Sequence, residues 1–228
     1  MHTVIFDLDG TLADTSGDLI AAANFCFAQM GHPDLLTWPE DAATALRGGR
    51  AMLTLGLTRL GKFDQAVIDD FYPVLLRAYG ASIDRFTTFY PGALKAVQDL
   101  KSAGFKVGIC TNKPFALAED LITRMGQRAL FDSLIGADSL PVKKPDPAPF
   151  FEAVCQAGGL PEKAFMIGDT FTDHSTAKAA KVPSILVDFH PKGSVLSQQI
   201  RALRPDAVIG SFEELPPSIA RLLTRLSP

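Results

Sequence analysis

The sequence predicts an α/β fold: a parallel sheet covered by helices on both faces, with a helical insertion after its first strand. Three observations predict it. An apolar run, Val4-Ile5-Phe6, opens the chain; similar short runs alternate with amphipathic stretches from Tyr90 onward; and between the two no strand pattern occurs, only apolar residues at three- and four-residue spacing. Strands alternating with helices form parallel sheets, because the crossover helices must lie on the faces. With 228 residues, 47% of them hydrophobic, the chain has material for one large core and an insertion.

Each element has its own signal. The first strand ends at Asp7-Leu8-Asp9-Gly10, where the glycine permits a turn. Helical periodicity then runs through Gly17–Met30, Ala42–Leu60 and Ala66–Tyr79, broken at Gly31-His32-Pro33 and Leu60-Gly61. Beyond Tyr90-Pro91-Gly92 the reading alternates: helix 93–103, strand 106–111, helix 116–125, strand 134–136, helix 148–157, strand 164–167, helix 173–180, strand 184–187, strand 207–209 and helix 219–226. The expected division is a core of residues 1–13 and 89–228 and a helical cap of residues 14–88. Because the insertion leaves and re-enters beside the first strand, it is placed to act as a lid, with hinges near 13–17 and 87–91. Phe86, Phe89 and Tyr90 are expected to pack at the returning crossing, whereas Trp38 beside Pro39 suggests no role.

Composition narrows the function classes. A net charge of −3 and a pI near 5.8 give no reason to expect nucleic acid or an anionic membrane as partner. No apolar stretch approaches the roughly 20 residues of a membrane span, and no basic-then-apolar leader precedes the first strand, so a cytoplasmic protein is expected. Cys26, Cys110 and Cys155 are widely spaced and odd in number, a pattern expected of buried small hydrophobes rather than a disulfide or metal framework. Oligomeric state, monomer or homodimer, is left open.

Four polar segments lie at or just beyond strand ends: Asp7-Leu8-Asp9-Gly10-Thr11, Thr111-Asn112-Lys113-Pro114, Lys143-Lys144-Pro145-Asp146-Pro147 and Gly168-Asp169-Thr170-Phe171-Thr172-Asp173. In open α/β sheets such loops converge on one crevice. Asp7, Asp169 and Asp173 offer hard oxygen ligands suited to Mg²⁺. Thr111 and Asn112 offer neutral donors for phosphoryl oxygens, and Lys144 a compact positive charge. Phosphoryl transfer needs little beyond such positioning and charge stabilisation. Strand-end Asp and Thr residues also cap helices, the role expected of Asp146 and Thr172. Lys113 and Lys143 are expected to be solvated.

In this order and spacing the segments resemble the haloacid dehalogenase superfamily of phosphohydrolases, whose core is a Rossmann-like parallel sheet. The likeness spans nearly the whole chain. The helical insertion resembles the subclass with an α-helical cap, and the layout is similar to phosphoglycolate phosphatases. The resemblance implies that Asp7 is the nucleophile and Asp9 first an acid, then a base. It also implies that Thr111 binds phosphoryl oxygens, with Gly10, Thr11 and Asn112 at the substrate, and that Lys144 steadies Asp7. Asp7, Asp169, Asp173 and the carbonyl of Asp9 would hold Mg²⁺. Dehalogenating members lack an acid at the position of Asp9, since a halide leaves without a proton; this chain therefore reads as a phosphatase of a small phosphorylated metabolite, 2-phosphoglycolate or a similar ester. The alternatives are a sugar phosphomutase of the β-phosphoglucomutase type and a non-catalytic regulatory protein on the same scaffold.

The departures from the family are local. Lys181 stands where the helix after the last motif commonly ends in glycine. Asp188–Gly193 replaces a Gly/Tyr-rich segment of the glycolate-type members, which weakens the case for glycolate. His174 is expected at the surface or as a cap, and His190 in a loop. In the cap, Arg47-Gly48-Gly49-Arg50 is a candidate grip on a second anionic group of the substrate through Arg47 or Arg50. The alternative is that both arginines are solvated and the glycines only break two helices.

Overall fold

The computed structural model of the protein describes residues 1–226. In chain order the elements are β1 (Thr3–Phe6), β2 (Ala13–Asp14), α1 (Ser16–Gln29), α2 (Ala42–Ala45), α3 (Gly49–Arg59), α4 (Gln65–Ala81), β3 (Thr88–Phe89) and α5 (Ala93–Ser102). They continue as β4 (Lys106–Cys110), α6 (Phe115–Arg124), β5 (Ser133–Ile135), α7 (Ala148–Gln156), β6 (Ala164–Gly168), α8 (Phe171–Ala180), β7 (Ser184–Val187), α9 (Val195–Ala202), β8 (Ala207–Ile209) and α10 (Leu215–Leu226). The chain divides into two compact units, Met1–Leu12 with the chain from Phe89 onward, and Ala13–Thr88.

The first unit is built on a six-stranded sheet in the order β5-β4-β1-β6-β7-β8, with parallel pairing throughout. In register, Phe6 lies opposite Ile109 on one side and Ile167 on the other. Every residue of β1, β6 and β7 is buried, the pattern of strands covered on both faces. From β1 the chain builds outward first through β4 and β5, then on the other side through β6, β7 and β8. The carboxyl end of β1 is therefore the topological switch point, where such sheets place ligands. Ile5, Cys110, Phe150, Val154 and Met166 pack together in a core cluster between the sheet and α7.

In the second unit Gly56 of α3 lies so close to the Phe27 ring of α1 that a Cβ would overlap it. Asp18, in the first turn of α1, is buried and accepts bonds from the amides of Phe86 and Thr87 and the Thr87 hydroxyl at 2.7–3.0 Å. This carboxylate fastens the start of α1 to the segment that leaves the unit. Trp38 is 61% exposed, and its Nε1 donates to Ser16 Oγ at 3.2 Å.

Several expectations need correction. The stretch 42–60 is two helices, because Gly48 at φ +96° ends the first turn and starts α3. Two-residue strands β2 and β3 pair at the crossings, where no strand was expected before Tyr90. Helix α9 was not anticipated, and α10 begins at Leu215, four residues before the expected Ile219. Cys155 is exposed rather than buried.

Candidate active site

Asp7 is the first residue past β1, and its amide still donates to Ile167 O at 2.8 Å, so the sheet holds its backbone. Thr111 follows β4 in the same way, its amide on Ile135 O at 2.9 Å, and Asp169 follows β6. Neighbouring strands in register thus deliver three of the four segments to one sheet end. The fourth supplies Lys144, whose side chain is 1% exposed and whose ammonium lies 2.6 Å from Asp173 Oδ1 and 3.2 Å from Asp7 Oδ1. Asn112 Nδ2 donates to the Lys144 carbonyl at 3.0 Å and steadies that loop.

Asp173 sits in the first turn of α8 and belongs to a capping box with Thr170. Its Oδ2 accepts the amides of Asp169 and Thr170 and the Thr170 hydroxyl. The expected cap was Thr172. Thr170 takes the role because its backbone is extended, which swings its hydroxyl back to the Asp173 amide. Asp146 does accept the Ala148 amide at 2.8 Å.

The turn after β1 is shaped by the same acids. Gly10 has φ +80°, and a Cβ there would stand 2.5 Å from Asp169 Oδ2. Thr11, fully buried, donates its hydroxyl to Asp169 Oδ1 at 2.8 Å. In the structure the residues that sequence reasoning put at the substrate, Gly10 and Thr11, lie against the Asp169 carboxylate.

One oxygen of each of Asp7, Asp169 and Asp173 lies within 4.8 Å of the others. Burial pushes the Asp7 carboxyl up to about 7; the Lys144 charge opposes this, while Asp173 and Asp9 add to it. Asp169 is also pushed well up, by burial and then by the charges of Asp173 and Asp7. Burial alone would lower the Lys144 ammonium, but Asp173 and Asp7 overcome it and raise it, so the lysine stays charged. One cation thus faces three carboxylates, and the negative charge is under-compensated. Hard oxygens with surplus negative charge are the donor set that fits a small divalent cation.

Sequence reasoning missed Lys113. It is not solvated: its side chain is 3% exposed and its ammonium lies 2.8 and 3.0 Å from the two oxygens of Asp9. No signal in the sequence marked it, because Thr111 and Lys113 lie past β4 in a turn closed by the Lys113 amide on Thr111 Oγ1. Lys143 is exposed, as expected. His174 is half-buried, with Nδ1 2.9 Å from Ser184 Oγ. Lys181 itself adopts φ +58° at the end of α8, supplying the left-handed residue where glycine is usual. In the other unit Arg47 is exposed; Arg50 pairs with Asp69 at 2.5 Å and stacks over Tyr72 at 4.4 Å.

The family model for haloacid dehalogenase-like hydrolases matches residues 4–187, which contain all four segments. The chain belongs to that family. It is 36% identical over 225 residues to the phosphoglycolate phosphatase of Caulobacter vibrioides, covering 97% of this chain and 92% of that protein. With relatives of that name, this family member is a phosphoric monoester hydrolase. Among solved structures, a predicted phosphoglycolate phosphatase from Haemophilus somnus superposes with TM-score 0.79 at 22% identity, covering 95% of this chain and 97% of that one. A protein assigned as a β-phosphoglucomutase from Thermotoga maritima superposes with TM-score 0.72, also at 22% identity, covering 99% and 100%. Both structural likenesses speak to the fold alone. No helix among the described residues is long and apolar enough to cross a membrane.

Proposed function

We propose that this hydrolase is a Mg²⁺-dependent phosphatase of a small phosphorylated metabolite, foremost 2-phosphoglycolate, acting through an aspartyl-phosphate on Asp7. The observation that carries the reading is the pairing of Asp7, buried beside Lys144 and two further carboxylates, with a second acid, Asp9, two residues on. In this reading Asp7 attacks phosphorus and the ester oxygen leaves with a proton from Asp9. Water then attacks the same phosphorus, Asp9 takes its proton, and Asp7 is released as a carboxylate. Thr111 and Asn112 bind phosphoryl oxygens, and Lys144 offsets the charge on Asp7 and the transferring group.

Asp7, Asp169, Asp173 and the carbonyl of Asp9 are the groups that would hold Mg²⁺; when bound, the ion offsets the charge that otherwise keeps an anionic nucleophile from an anionic phosphate. Thr11 and Gly10 act here by setting Asp169. Of the two cap arginines, Arg50 is engaged with Asp69 and Tyr72, so Arg47 is assigned to the substrate carboxylate. The relatives named phosphoglycolate phosphatase support the substrate. The location that fits is the cytoplasm, as monomer or homodimer, with no nucleic acid or membrane as partner.

A screen of phosphorylated metabolites with Mg²⁺, ranked by kcat/KM, tests this. Phosphate release highest on 2-phosphoglycolate, lost with EDTA, and a KM for that ester raised in Arg47→Ala are expected. Isomerisation of a sugar phosphate that requires a bisphosphate primer, without net phosphate release, would overturn it.

A further inference from the structure

We propose that the helical unit carries a docking surface for a second copy of this chain, an aromatic groove along α1 that closes a two-fold dimer. The groove has a volume of about 540 Å³ and is built from residues of the second unit alone. Its floor is one face of α1, with Ile20 and Phe25; its walls are the loop after α1, with Trp38, and the segment after α4, with Phe86. Phe25, Trp38 and Phe86 are each more than half exposed. Single exposed apolar residues are ordinary, whereas three large rings around one groove form the kind of patch that marks an interaction surface. The walls are also held in place. Asn24 of α1 donates to the Leu36 carbonyl at 2.8 Å and accepts the Leu36 amide at 2.9 Å, and Trp38 is bonded to Ser16. Phe86 packs so closely on Gly17 that a Cβ there would stand 2.8 Å from its own. Rings fixed before contact lose little freedom on binding.

The chemistry of the groove selects its occupant. Asp34 and Arg85 both line it and both are exposed, and the Arg85 guanidinium lies 4.9 Å from the centre of the Phe86 ring. One acid and one base leave this lining without net charge, so it has no pull on nucleic acid or an anionic lipid surface. Open walls suit it poorly to a small ligand, which a pocket normally buries almost whole. A face that holds both charges, together with projecting rings and the hollow between them, is complementary to itself. That is the requirement of a two-fold contact, in which one patch meets its own copy. In such a pair Arg85 of each copy meets Asp34 of the other, and the rings supply the buried centre, where aromatic side chains and arginine are enriched. None of the residues named for the reaction lines the groove, so dimerisation can be tested apart from catalysis.

Sedimentation velocity of the full-length protein tests this, with the emission of Trp38, the single tryptophan of the chain, as a second readout. At micromolar concentration a mass near twice 24.5 kDa is expected. Dilution to nanomolar concentration should return monomer, with Trp38 emission shifted to the red as the indole meets water. Asp34→Arg and Arg85→Asp, both at exposed positions, should each weaken the dimer roughly tenfold or more, because like charges then meet twice across the two-fold. Mixed in equal amounts, the two variants should dimerise as the wild type does, since each copy again meets opposite charge at both places. Phe25→Glu should be monomeric throughout; if circular dichroism shows that it fails to fold, the charge variants and their mixture decide. Wild-type protein that stays monomeric at the highest concentration reached would overturn the proposal, including where a ligand or another protein proves to fill the groove. A dimer that the single charge variants leave intact, or a mixture of them that stays monomeric, would overturn it equally.

Discussion

At the scale of single residues, the charge on Asp7 is the quantity that chemistry and stability share. Its carboxyl is pushed to about 7 by burial, despite Lys144. In the unfolded chain an aspartate titrates near 3.8, so between those values the native state holds a proton that the unfolded state has lost. Stability therefore falls as pH rises from about 4 to about 7. Asp7→Asn removes this effect. In EDTA the variant should melt above the wild type at pH 8, by several degrees at roughly 2–4 °C per kcal/mol for a chain of this size, and the gain should shrink steadily toward pH 5. Thermal melts across that range check it, and a gain independent of pH would refute the charge argument. Asp7, Asp9 and Asp169 were legible from sequence because acids at successive strand ends are chemically conspicuous. Lys113 was not, because a lysine in a loop is ordinarily solvated and only the fold shows that its neighbour is Asp9.

At the scale of elements, local devices decide where helices begin and end. Asp18 takes two amides and a hydroxyl from the segment that leaves the helical unit. Asp18→Ala strands those donors and should cost about 2–4 kcal/mol, read as a lower urea midpoint. Lys181 ends α8 at φ +58°, which costs a residue with a Cβ about 1–2 kcal/mol. Lys181→Gly recovers that and gives back about 0.4–1 kcal/mol in unfolded-chain entropy. A net stabilisation of about 0.5–1 kcal/mol is expected, and a loss in the same denaturant measurement would show that the Lys181 side chain does more than end the helix. Strands β2 and β3 escaped sequence reading because two residues carry no alternation. Helix α9, Val-Leu-Ser-Gln-Gln-Ile-Arg-Ala, escaped because its polar face outweighs its apolar one. The break at Gly48 was visible only as the pair Gly48-Gly49, weighed as a helix break against an apolar periodicity that runs across it.

At the scale of the whole molecule, the order β5-β4-β1-β6-β7-β8 places the opening acids at the switch point, and the rest of the site follows from register. Short, fully apolar strands and their alternation with helices made the core legible, since both patterns follow from covering a parallel sheet on two faces. The substrate was not legible in the same way, because side chains of the helical unit such as Arg47, proposed above for the substrate carboxylate, are placed by no strand register. The central claim is that phosphoryl transfer passes through Asp7. Acid quench during turnover of p-nitrophenyl phosphate with Mg²⁺, followed by peptide mass spectrometry, tests it most directly. A phosphoryl group on Asp7, absent together with turnover in Asp7→Asn, is predicted; sustained phosphate release by Asp7→Asn, or a phosphoryl group on another residue, would contradict it.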